Sequence, residues 1–175
     1  MTELAYAYLA PSDFAQRQGQ ADLSLATSGG LAPSGAVAHP FFFSGFVAQP
    51  AVVAQALLML ARVARTRFYV PPNTLAAVLR AADPVVTSTP EGLRFESFSV
   101  CCGVYARLDV DAAALDATHS APGVTNVDVN PPLRQALAGL RASEPLHLNV
   151  GNDAFQVATP AGEICLLYTS PSPRD

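Results

Sequence analysis

Apolar positions along this chain recur mostly at a period of two, with helical periods intervening. Leu4, Tyr6 and Tyr8 alternate with small residues, and the alternation returns from Asp22 to Thr27, which predicts two strands. The run SGGLAPSGAVAHP reads as a loop from its Gly, Pro and Ser content. Phe41 to Val47, FFFSGFV, predicts a buried strand in which Gly45 marks a bulge or a close approach of backbones. The period then changes. Pro50 suits a first helical turn, and Val53, Leu57 and Leu60 share one face, with Val52, Met59 and Val63 beside them. So wide a stripe predicts a mostly buried helix. A second helix is expected over 73–83, with Asn73 as its N-cap and Pro84 just past its end.

The clearest hairpin is DPVVTSTPEGLRFESFS, where Val85 and Val86 precede a Pro-Glu-Gly turn, and Leu93 and Phe95 alternate with Arg94 and Glu96. After it the apolar phase slips. Phe98, Val100, Cys102, Val104, Ala106, Leu108 and Val110 are even-numbered, so a bulge or break is expected near Glu96 and Ser97, with the even face toward the core. The odd face, from Ser97 and Ser99 through Cys101 and Tyr105 to Arg107 and Asp109, is semi-polar and expected to look onto a cleft, a helix or solvent. DAAALDATHSAPG predicts a short helical turn and a loop. VTNVDVN predicts a strand with Val127 and Val129 inward and Asn126, Asp128 and Asn130 in a row on the other face. A helix follows, capped by Asn130 with Pro131 at its first position. PLHLNV and AFQVAT are expected to pair across Gly151, Asn152 and Asp153. The expected class is α+β: a mixed, mainly antiparallel sheet with two to three helices packed on it.

Composition narrows the function classes. At 175 residues the chain is long enough to bury about two-thirds of its unfolded surface. Half the residues are hydrophobic and only 14% charged, which argues against intrinsic disorder. The net charge of -4 argues against a nucleic-acid surface spread over the whole domain. Lysine is absent and alanine abundant, a bias of GC-rich coding. The N-terminus does not read as a secretory signal, no apolar run reaches the length of a membrane span, and Cys101, Cys102 and Cys165 make no disulfide framework. A cytoplasmic location without membrane contact is expected.

Several residues carry chemistry worth weighing. Cys101 or Cys102 with His119 would supply a thiol and a base, but Cys102 falls on the apolar face and reads as a small core residue, with Cys101 the more accessible. Asn126, Asp128 and Asn130 present oxygens for a hard cation, but a calcium loop needs a glycine and a distal glutamate that are missing here, and Asn130 already serves as a cap. Arg62, Arg65 and Arg67 gather at the end of the long helix, as an anion contact or simply as complement to the negative helix pole. Arg94 with Glu96 and Arg107 with Asp109 read as ion pairs on strands. His39 and His147 are isolated and read as structural. Phosphate-loop and serine-elbow motifs are missing. No catalytic residue and no metal ligand is assigned.

Five segments, LATSGG, FFFSGF, DPVVTS, RFESFSVCCGVYARLDV and GVTNVDVNPPLRQAL, together resemble the N-terminal region of bacterial SWIM zinc-finger proteins, over residues 4 to 163. The resemblance implies a downstream C-x-C…C-x-H zinc motif, absent from this sequence, that contacts DNA or protein partners. It implies zinc for the full-length protein only, and no ligand is carried over to any residue here. Residues 165–175, CLLYTSPSPRD, can be encoded codon by codon by the adapter of transposase-based sequencing libraries. The expected organisation is one α+β domain over 1–164, incomplete at its C-terminus, and an artefactual tail over 165–175. The expected function is a non-catalytic scaffold and interaction region, with partner or DNA binding supplied by the missing segment. The competing expectation is a small-molecule binder or enzyme that uses the strand face around Cys101, Tyr105, Arg107, Asn126 and Asp128.

Overall fold

The computed structural model describes residues 7–67, 83–141 and 143–151. Within them the chain is α+β, with two mostly antiparallel sheets and two helices. The first sheet has the order β1 (Asp13–Arg17), β2 (Gln20–Leu25), β11 (Leu146–Val150), β5 (Phe43–Val47), β9 (Leu115–Ser120). The second runs β4 (Gly35–Val37), β3 (Thr27–Ala32), β10 (Gly123–Val127), β6 (Val85–Thr89), β7 (Gly92–Phe98), β8 (Tyr105–Asp111). Only Ala26 separates β2 from β3, so the chain crosses from one sheet to the other within a residue. Both sheets turn their inner faces to one core. There Leu23, Leu25, Phe43, Phe95, Val127 and Leu148 are essentially inaccessible.

Helix α1 (Pro50–Ala64) begins at the expected proline, whose missing N–H costs nothing in a first turn. It buries Val53, Leu57 and Leu60, with Ala54, Ala61 and Ala64 filling the same side. The stripe is narrower than expected: Val52 and Met59 are each 54% exposed, because alanines supply part of the buried face. Helix α2 (Pro131–Ala138) starts as expected at Asn130, whose Oδ1 accepts the Leu133 N–H at 3.0 Å, and its Leu133 and Leu137 reach the core.

The strand pattern holds for β2, β5, β6, β7, β10 and β11, each alternating buried with less buried positions. Gly45 acts in both expected ways. The β5–β9 register shifts between Ser44 and Gly45, and a Cβ there would lie 2.4 Å from the Asp116 carbonyl oxygen. The run from Ser28 to Pro40 is not a loop. It holds most of the β3–β4 hairpin, closed by Pro33 and Ser34, and Gly30 packs so tightly on β10 that a Cβ would meet the Val124 oxygen at 2.6 Å. Two further strands, β1 and β9, occupy stretches with no apolar alternation.

The expected bulge near Glu96 is likewise corrected. β7 and β8 pair without a shift from Gly92↔Asp111 to Phe98↔Tyr105. The phase changes in the turn over 99–104, where Cys102 takes the left-handed conformation (φ 56°). Because the paired numbers sum to an odd value, inward odd residues of β7 face inward even residues of β8. Phe98, Cys102 and Val104 are therefore exposed, and Ser97 and Ser99 are buried. The helix expected over 73–83, the AFQVAT strand and the 165–175 tail fall almost wholly outside the described residues. So does the first expected strand apart from its end, where Tyr8 is not in a strand.

Truncating Leu57 to Ala is expected to cost about 2–5 kcal/mol in urea unfolding, and Met59→Ala less than about 0.5 kcal/mol. Equal losses at the two sites would refute this placement of α1.

Candidate functional site

The outer face of the β7–β8 hairpin carries a ladder of exposed charges. Arg94 Nε lies 2.7 Å from Asp109 Oδ1, and Arg107 Nε lies 2.5 Å from Asp109 Oδ2. The Tyr105 hydroxyl donates to Glu96 at 2.6 Å. Hydrogen bonds from Arg94 and then Arg107 hold the Asp109 carboxyl below its ordinary range, and the bond to Glu96 raises the Tyr105 hydroxyl. Asn126 shares a cross-strand row with Arg107, but Val85 and Glu96 stand between them, three strand spacings or about 14 Å. Cys101 is exposed in the turn, its Sγ 3.4 Å from Ser99 Oγ. Cys102 is exposed too. The turn lifts it out of the strand face that alternation assigned to the core.

Asp128 belongs to a different setting. Its Oδ2 accepts the Ser12 backbone N–H at 3.1 Å and the Asn130 amide at 2.8 Å, and that amide also donates to the Ser12 carbonyl at 2.9 Å. Nearby, half-buried Asp83 accepts the Tyr8 hydroxyl at 2.9 Å. Burial is the main cause that raises the Asp83 carboxyl to about 6, and Asp128 adds to it; the Tyr8 hydrogen bond, Arg65 and Arg134 oppose it. This acid pair, with Tyr8 and Arg134, was not anticipated. Tyr8 and Asp83 stand 75 positions apart, Ser12 and Asp128 116, and no local pattern links them.

The three arginines at the end of α1 part company. Arg65 is half-buried and acts on Asp83, whereas Arg62 and Arg67 are exposed. Each histidine has its own partner. His39 Nδ1 lies 2.9 Å from the Thr27 carbonyl. The His119 ring stacks on Phe41 at 4.6 Å in the first sheet, whereas Cys101 and Cys102 sit in a turn of the second. His147 lies 3.6 Å from Asp22. Among the described residues no three His, Cys, Asp or Glu side chains gather as a metal site. Asp128 and Asn130 already bond each other, and Cys101 and Cys102 are adjacent at a turn tip, so these residues do not fit the zinc that the resemblance implies.

A depression of about 360 Å³ opens beside the β6–β7 turn, where Thr87, Arg94 and Asp109 line it; Cys101, Tyr105, Arg107 and Asp128 do not. No family model, curated protein or solved structure matches this chain. The site is therefore read from its own chemistry. It has two parts: an exposed, internally paired charge ladder beside an aromatic hairpin tip, and a half-buried acid pair that ties the segment before β1 to the start of α2.

The pair makes a pH prediction. A folded-state carboxyl near 6, above its unfolded value near 4, binds protons more tightly when folded, so its contribution to stability falls as pH rises from about 4 to about 6 and is level above that. Asp83→Asn is expected to remove this descending component from urea midpoints and to gain on the order of 1 kcal/mol at neutral pH, solvent screening allowed for. An unchanged pH profile in the variant would count against the assignment.

Proposed function

We propose that this domain is a non-catalytic scaffold and interaction region of a SWIM zinc-finger-like protein, with nucleic-acid or partner binding carried mainly by a downstream segment. The reading is supported by the five similar segments and by one feature of the surface. At the tip of the β7–β8 hairpin Phe98, Val104 and Tyr105 are 58%, 42% and 48% exposed, and the Phe98 and Tyr105 rings lie 4.9 Å apart. Clustered aromatic groups beside paired charges suit contact with a macromolecule better than enclosure of a small substrate. The polar groups around them are spent on internal bonds. Asp109 holds two arginines, Tyr105 holds Glu96, and Asp128 holds Ser12 and Asn130.

A chain that carries the proposed downstream zinc motif tests the reading. The intact protein is expected to carry zinc by elemental analysis and to be retained on immobilised DNA or by a protein partner, whereas the chain described here is expected to carry no zinc and not to be retained on DNA. An intact protein that binds neither zinc nor any macromolecule would overturn the proposal.

A further inference from the structure

Among the described residues, the sheets end in four edges: β1 and β9 in the first, β4 and β8 in the second. An open edge is a template for another strand, and folded proteins blunt it by shortening, bulging, interrupting or charging it. β4 has three residues, β1 has five, and the pairing of β9 is irregular. β8 has seven residues, no glycine or proline, and an unshifted register on β7. It is the longest of the four.

The phase of its ladder follows from the hydrogen bonds at its ends. Ser99 N donates to Val104 O and Ala112 N to Glu91 O, so the β7–β8 bonds use the even-numbered residues of β8. The N–H and C=O groups of Tyr105, Arg107, Asp109 and Asp111 therefore point away from β7, along the open edge.

The geometry points to a second copy of this chain as the occupant of that edge, with β8 pairing antiparallel to β8 about Leu108. The strand reads Tyr-Ala-Arg-Leu-Asp-Val-Asp and is self-complementary in charge. Centred on Leu108, Arg107 of each copy stands opposite Asp109 of the other, so the internal Arg107–Asp109 pairs join as a network of four charges alternating in sign, and Tyr105 stands opposite Asp111. All the outward backbone groups then meet outward backbone groups. A shift of the pairing either way brings Arg107 against Arg107 or Asp109 against Asp109. On the inner face Leu108 meets Leu108 and Ala106 meets Val110. Leu108 and Ala106 are only half-buried in a single copy, so pairing carries the core across the two-fold axis. The inference needs only the edge and not the downstream zinc segment, so its failure leaves the zinc and DNA measurements unaffected.

Sedimentation velocity on this chain, from micromolar to several hundred micromolar, is expected to show a reversible dimer. Asp109→Arg, which sets arginines against arginines, and Arg107→Asp, which sets aspartates against aspartates, are each expected to weaken it on the order of tenfold or more. An equimolar mixture of the two restores association as a heterodimer. Should circular dichroism show either variant unfolded, Arg107→Pro removes an outward N–H and the Arg107–Asp109 pair but no β7–β8 hydrogen bond, and is expected to be a folded monomer. A wild-type chain that stays monomeric throughout, or a dimer that these substitutions leave unchanged, would overturn the inference.

Discussion

The rest of the structure depends on the pairing of β11 with β2 and β5. This strand comes from the far end of the described chain and lies in the middle of the first sheet, parallel to β2 and antiparallel to β5. Leu146, Leu148 and Val150 point into the core and are wholly buried. A parallel neighbour requires a long crossover, and here the crossover from β2 to β11 contains the entire second sheet and both helices. Closing that one pair therefore encloses everything between. Burial of the shared apolar layer, to which α1 contributes Val53, Leu57 and Leu60, is what stabilises the closure against the chain entropy of so long a loop.

A two-sheet core with a crossing at Ala26 leaves polar backbone to be satisfied where the sheets part. Ser12 does this from two sides. Its hydroxyl accepts the Ala26 N–H at 2.7 Å, and its own N–H and carbonyl bond Asp128 and Asn130. The same Asn130 caps α2, so one amide side chain joins the segment before β1, the end of β10 and the second helix. The acidic and amide groups that draw attention in this chain are, in this sense, its framework. What stays open to a partner is the surface that the framework does not use: the aromatic tip and the edge of β8.

Much of this was legible where side chains are large. Period-two alternation of Leu, Val and Phe found β2, β5, the β6–β7 hairpin, β10 and β11, and a proline and an asparagine marked the starts of the helices. The strands that escaped, β1, β3, β4 and β9, hold one large apolar residue each (Phe14, Leu31, Val37 and Leu115) among small or polar ones, and small residues leave no apolar trace. Ser97 and Ser99 misled for the same reason: both are buried, and small hydroxyls on a strand look like a solvent face. The turn over 99–104 carries neither proline nor asparagine, so a hairpin passed for one long strand with a slipped phase. Of the candidate residues, Tyr105 and Arg107 share the outer face that alternation gave them. The acid pair of Asp83 and Asp128 lay beyond reach, because only the closed sheets bring them together.

The backbone of β8 lies on the open edge of the second sheet and that of β11 at the centre of the first. Site-resolved amide hydrogen exchange, run at low and high protein concentration, tests both in one measurement. Amides of Leu146 to Val150 are expected to be among the slowest at every concentration. Those of Arg107 and Asp109 should exchange freely in dilute solution and slow as concentration rises, while Ala106 and Leu108 are protected throughout. Arg107 and Asp109 amides as protected in dilute solution as their even-numbered neighbours, or a β11 that exchanges as fast as β1, would contradict these placements.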